Sequence, residues 1–113
     1  MSIRRVAQEL EARLLPPKPG FFNRSCGKLE RKWYGGGEER LKILLKNLAV
    51  PDGTVVAVTA AARPIANVTI DGGAGRFDTD DGWSEAIPAM EAGETVEVTH
   101  DGFVLARGTL EVD

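Results

Sequence analysis

The sequence predicts a mainly β domain: an antiparallel β-sandwich or small barrel of about seven strands with an internal hairpin repeat, preceded by one N-terminal amphipathic α-helix. Three observations carry this. Two stretches forty residues apart read as the same hairpin. Turn signals of the Gly-Gly-Gly, Pro-Asp-Gly and Asp-Gly kind punctuate the chain from Gly35 onward. Apolar side chains at helical spacing without flanking β signals occur only near the start; Leu44 gives the 39–47 run a helical look, but the glycines before it and the strands on either side decide for strand.

The helix is expected from Ser2 to Leu15. Ile3, Val6, Ala7, Leu10 and Leu14 recur at spacings of three and four and form one apolar stripe. Ser2 suits an N-cap. Pro16-Pro17-Lys18-Pro19-Gly20 ends the helix as an extended spacer. A helix of about four turns is marginal alone in water, so it must pack on its own domain or on another subunit. The expected division is residues 1–20, helix and Pro-rich arm, and residues 21–113, the β domain.

From Cys26 onward the signals are β. Lys28 to Tyr34 alternates, with Leu29, Arg31 and Trp33 on one side. Glu39 to Asn47 places Leu41, Ile43 and Leu45 inward and Arg40, Lys42 and Lys46 outward. Thr54–Ile70 is the first hairpin, with Ala61-Ala62-Arg63-Pro64 at its tip. A short strand follows at Gly75–Thr79, then a loop from Asp80 to Gly93. Thr95–Glu111 is the second hairpin, with Asp101-Gly102 at its tip, a strong turn signal because both residues tolerate positive φ. At an offset of forty, Gly53/Gly93, Val56/Val96, Val58/Val98, Thr59/Thr99, Ala66/Ala106 and Thr69/Thr109 are identical. Two such hairpins in one domain suggest approximate two-fold symmetry.

Taken together, Pro51-Asp52-Gly53-Thr54-Val55, Ile70-Asp71-Gly72-Gly73, Asp81-Gly82, Ile87-Pro88-Ala89-Met90 and Val96-x-Val98 resemble small uncharacterised bacterial all-β domains built from such hairpins. The resemblance covers roughly residues 28–113. It rests on turns and core positions, and it implies a sandwich and nothing catalytic.

The 113 residues suit one domain with a real core, and 42% hydrophobic with 27% charged residues is ordinary globular composition. The single Cys26 excludes an internal disulfide and fits a reducing compartment. No apolar run approaches the roughly 20 residues of a membrane span. Gln8, Glu9, Glu11 and Arg13 interrupt any signal-peptide core, so a cytoplasmic location is expected. Charge is segregated. Residues 18–46 carry eight Lys and Arg against three Glu, and residues 47–113 carry three Arg against twelve acids. Opposite halves can attract within a fold or between subunits.

Clustered carboxylates are what Ca²⁺ needs, so Asp78, Asp80, Asp81 and Glu85, with Trp83 as a stacking platform, are the candidate cation or glycan site. The spacing fails the EF-hand pattern, and a solvated acidic turn is the plainer reading. Lys18, Arg24, Lys28, Arg31, Lys32, Arg40, Lys42 and Lys46 interleave with Phe21, Phe22, Trp33 and Tyr34, a composition suited to single-stranded nucleic acid. The pI near 5.2 argues against that. His100 and Asp101 are adjacent on a strand and are expected to point apart. No nucleophile, base and stabiliser can be nominated together, so no enzyme and no obligatory cofactor are expected. The leading expectation is a non-catalytic assembly protein. It would self-associate as a homo-oligomer or bind a protein partner through Ile3, Val6, Leu10, Leu14, Phe21 and Phe22.

Overall fold

Alternating apolar residues build two antiparallel sheets that share one core, and neither closes into a barrel. The computed structural model describes residues 6–17, 24–34, 37–81 and 87–113. Among them are nine strands: β1 Val6–Leu14, β2 Cys26–Tyr34, β3 Glu39–Lys46, β4 Thr54–Ala60, β5 Arg63–Ile70, β6 Gly75–Asp78, β7 Thr95–His100, β8 Phe103–Thr109 and β9 Glu111–Val112. One 3-10 turn, Thr79–Asp81, follows β6. The larger sheet has five strands in the order β6-β3-β2-β1-β9, and the smaller has four in the order β5-β4-β7-β8. Among the described residues no helix is long and apolar enough to cross a membrane.

The helix expected from Ser2 to Leu15 is corrected: over its described part the chain is strand β1, paired with β2 along its whole length. The two periods share a spacing of four, so Leu10 and Leu14 fit either. Ala12 decides between them. It lies off the helical stripe, yet it is fully buried between the two leucines, as a period of two requires. Glu9, Glu11 and Arg13 then face outward. Residues 6–15 thus belong to the body of the domain, not to a separate arm.

The expected facing of β2 and β3 holds. Leu29, Leu41, Ile43 and Leu45 are buried, and Lys42 and Lys46 lie on the other side. Both hairpins form; the second has its expected tip, Asp101-Gly102, while the first turns on Ala61-Ala62 alone, because Arg63 and Pro64 already pair with Ala60 and Thr59 as the start of β5. Positions forty apart occupy matching places. Gly53 N donates to Ile70 O at 2.8 Å, and Gly93 N donates to Leu110 O at 2.7 Å. The bulge after Val58 recurs after Val98. β4 pairs with β7 so that Val58 faces Val98 and Ala57 faces Thr99. The two hairpins thus meet through antiparallel β4 and β7 with matching register about Val58 and Val98. Each hairpin passes its chain on to an edge of the larger sheet, β5 to β6 and β8 to β9.

The first tip departs from ideal turn chemistry. Ala61 and Ala62 have φ of 50° and 63°, where the second hairpin has Asp101 at 49° and Gly102 at 81°. A Cβ in the left-handed region costs about 1–2 kcal/mol. Ala62→Gly is therefore expected to stabilise the fold by about 0.5–1 kcal/mol after the extra freedom of the unfolded chain is deducted. Thermal unfolding reads this, and a lower Tm would contradict it.

Candidate functional site: the outer face of the larger sheet

Of the acidic loop residues, Asp78 is already occupied by protein donors. The Asp78 side chain is fully buried. It accepts two hydrogen bonds from Arg40, Nε at 3.0 Å and Nη2 at 2.6 Å, one from Arg76 Nη2 at 3.1 Å, and one from the Asp80 amide at 3.0 Å. Its lone pairs are directed at these donors rather than at a metal. The hydrogen-bonded Arg40 holds the Asp78 carboxyl well below the usual carboxylate range. Burial opposes this, while the Asp80 amide and Arg76 reinforce it. Asp78 in turn pushes the Arg40 guanidinium further up. Asp80 also pairs with Arg40, at 3.3 Å. The Asp81 side chain, Trp83 and Glu85 lie outside the described residues.

The expected contact surface also changes. Leu10 and Leu14 are 2% and 0% exposed and belong to the core, so they cannot meet a neighbour. Ile3, Phe21, Phe22 and the Val6 side chain lie outside the described residues. Among the basic and aromatic residues, Arg31 and Trp33 turn inward while Lys28 and Lys32 turn outward, so β2 does not present one interleaved basic-aromatic surface. His100 Nε2 and Asp101 Oδ2 meet at 3.3 Å despite their adjacency, because Asp101 has already entered the turn. The pair sits at a hairpin tip with Asp101 largely in solvent.

The outer face of the larger sheet is where the sequence's charge segregation becomes spatial. Register sets outward side chains in rows across the strands. Glu9, Lys32 and Arg40 form one row. Glu111, Glu11, Glu30, Lys42 and Asp78 form the next. Arg13, Lys28, Leu44 and Arg76 follow, and Cys26 and Lys46 lie beyond. Across the strands the sign changes. β9 and β1 carry Glu9, Glu11, Glu111 and the terminal Asp113 against Arg13, while β3 carries only cations, Arg40, Lys42 and Lys46.

Central β2 mediates between the two sides. Lys28 Nζ lies 2.8 Å from Glu30 and 3.5 Å from Glu11, and Lys32 lies 3.5 Å from Glu30. Hydrogen bonding to Lys28 lowers the Glu30 carboxyl. Arg40 is committed to Asp78, but among the described residues Lys42 and Lys46 have no carboxylate partner. At the acidic edge, carboxylate oxygens of Glu9, Glu11 and Asp113 lie within 4.8 Å of one another, a grouping that sequence distance conceals. Past the last charged row, Leu15, Cys26, Gly27 and Leu44 line a shallow apolar groove of about 310 Å³, rimmed by Lys28 and Lys46. Leu15 is 52% exposed there.

Comparison with protein-family models, with curated proteins and with solved structures finds no match. The site is therefore read from its own geometry.

Proposed function

We propose that this protein is a non-catalytic assembly module that pairs with a second copy of itself through the outer face of the larger sheet. One observation carries the reading: this face is acidic along β1 and β9 and basic along β3. A two-fold axis in the plane of the face, parallel to the strands, turns one copy over the other. It brings the acidic edge of each copy onto the basic edge of its partner. The same operation leaves position along the strands unchanged, so the apolar groove around Leu15, Cys26 and Leu44 meets its own image. Such an interface is isologous and closes at a dimer. Row by row, Lys42 comes opposite Glu11 and gains the acidic partner that it lacks in the monomer, and Arg40 comes opposite Glu9, while Lys46 falls beside the apolar groove. Twisted sheets stack with their strands about 30° apart, which the shallow groove accommodates.

Sedimentation equilibrium tests this. The wild-type chain is expected to dimerise, with weaker association at high salt. Lys42→Glu puts acid against Glu11 at both symmetry-related contacts, and the dissociation constant is expected to rise about 100-fold or more, because like-charge juxtaposition costs several kcal/mol. Adding Glu11→Lys to that variant restores pairing by reversing both members of the pair. Both positions are on the outer face, away from the core, so folding is little changed. A wild-type chain that stays monomeric at high micromolar concentration and low salt would end the proposal. So would a charge-swapped variant that fails to recover.

A further inference from the structure

Arg31 is out of place by the rules that built the rest of β2. It lies on the core side of the strand, between Leu10 of β1 and Leu41 of β3, and is 3% exposed. Its Nη2 is 3.3 Å from Glu39 Oε2, and its guanidinium carbon lies 4.6 Å from the Trp33 ring centroid. Nε and Nη1 are buried and, among the described residues, have no hydrogen-bond partner. Burial lowers the Arg31 pKa and Glu39 opposes that, but a guanidinium keeps its proton in a protein. The chain therefore holds a charged fork with unmet donors. Each buried unmet donor loses its hydration with nothing in return. The cation–π contact with Trp33 offsets only part of this. An apolar side chain of similar length would pack there at no such cost.

We propose that Arg31 is the receptor for the carboxylate of a small apolar monocarboxylic acid. A carboxylate matches the planar fork in bidentate fashion, which the single 3.3 Å contact to Glu39 does not. Glu39 is 40% exposed on its side chain, so it can swing into water and leave its place to the ligand carboxylate. One cation then faces one anion, and the buried charge stays balanced. A doubly charged phosphate would leave a charge uncompensated among Leu10, Leu41 and Trp33. Those same side chains favour an alkyl or aryl body on the acid. Arg31 faces away from the outer face of β2, so this site does not depend on self-association.

Thermal shift and tryptophan fluorescence on the full chain test the proposal at constant ionic strength. The probes are sodium hexanoate and sodium benzoate, with hexanol and benzyl alcohol as neutral counterparts and inorganic phosphate as the competing anion. Saturable stabilisation by the two carboxylates, absent with the alcohols and weaker with phosphate, is the expected result. Arg31→Met is expected to weaken carboxylate binding at least about tenfold, the loss of a charged hydrogen-bonded contact, while remaining folded. Glu39→Gln removes the internal competitor and is expected to tighten binding several-fold. A purely structural Arg31 would not produce that tightening. No carboxylate response up to about 10 mM, corresponding to roughly 3 kcal/mol of binding, would overturn the proposal. So would equal or tighter binding of phosphate, or binding that survives Arg31→Met. If Arg31→Met does not fold, the alcohol comparison and Glu39→Gln still decide.

Discussion

Asp78→Ala is expected to destabilise the fold by about 3–5 kcal/mol, because it removes the buried carboxylate that accepts from Arg40, Arg76 and the Asp80 amide at once. The carboxylate joins three elements. It ends β6, it accepts from Arg40 of β3, and it caps the turn at the Asp80 amide. Beside it, Leu41 N donates to Thr79 Oγ1 at 3.0 Å, so the turn is already fixed to β3 and cannot relax away from the lost charge. An exposed pair shows the contrast. Arg107 and Glu97 also make two hydrogen bonds, at 2.9 and 3.2 Å, but their side chains are 52% and 28% exposed. Glu97→Ala is expected to cost no more than about 1 kcal/mol.

The pH dependence of Asp78 has a definite sign. Its carboxyl is held below the ordinary range in the folded state and is ordinary in the unfolded state. The unfolded chain therefore binds the proton first as pH falls. Stability from this group is complete at neutral pH. It declines once pH drops to about 4, where an unfolded aspartate begins to protonate, and continues to decline below that. Urea titrations at pH 7 and pH 3 measure both effects. The wild-type chain loses more stability between these pH values than Asp78→Ala does. Equal losses would show that the Asp78 charge does not hold β6 and its turn to β3.

Much of the fold was legible because it is written in local periods. The inward leucines of β3, the tip of the second hairpin and the matching places forty apart follow from alternation and turn chemistry alone. The first strand was misread because Leu10 and Leu14 suit both periods and the stripe was drawn through Ile3, Val6 and Ala7. Ala12 carried the discriminating information, but a small residue weighs little in an apolar pattern. The pairing of Asp78 was not legible, for a different reason. Sequence shows which acids cluster but not which cations reach them, and Arg40 lies thirty-eight residues before Asp78. The acidic edge of the outer face has the same cause, since β1 and β9 stand at opposite ends of the described chain. Arg31 was visible in the pattern beside Leu29 and Trp33. That this side was the buried one needed the second sheet.

Gly108→Ala is expected to destabilise the fold by about 2–3 kcal/mol, the range for an overpacked and unyielding site. The effect arises where the matching hairpins differ. The first hairpin has Val68 at the place where the second has Gly108. β8 passes β1 there, and Leu15 and Arg107 exchange backbone hydrogen bonds of 2.8 and 2.9 Å. A Cβ on Gly108 would meet the Arg13 carbonyl oxygen far inside van der Waals contact, with the Arg13 carbonyl carbon at 3.0 Å. The obstacle is backbone on a paired strand, so it cannot turn aside. The first hairpin solves the same crowding from the other strand. There Val68 keeps its side chain and Gly75 of β6 yields, since a Cβ on Gly75 would lie 2.6 Å from Val68 Cγ1. Gly53 is the control. Its φ is 86° but a Cβ there meets nothing, so Gly53→Ala pays only the left-handed penalty of about 1–2 kcal/mol. Urea unfolding ranks the pair. If Gly108→Ala costs less than Gly53→Ala, the close passage of β1 over β8 is not what required glycine. If it costs more, the glycine marks where two otherwise matching hairpins meet different neighbours in the larger sheet.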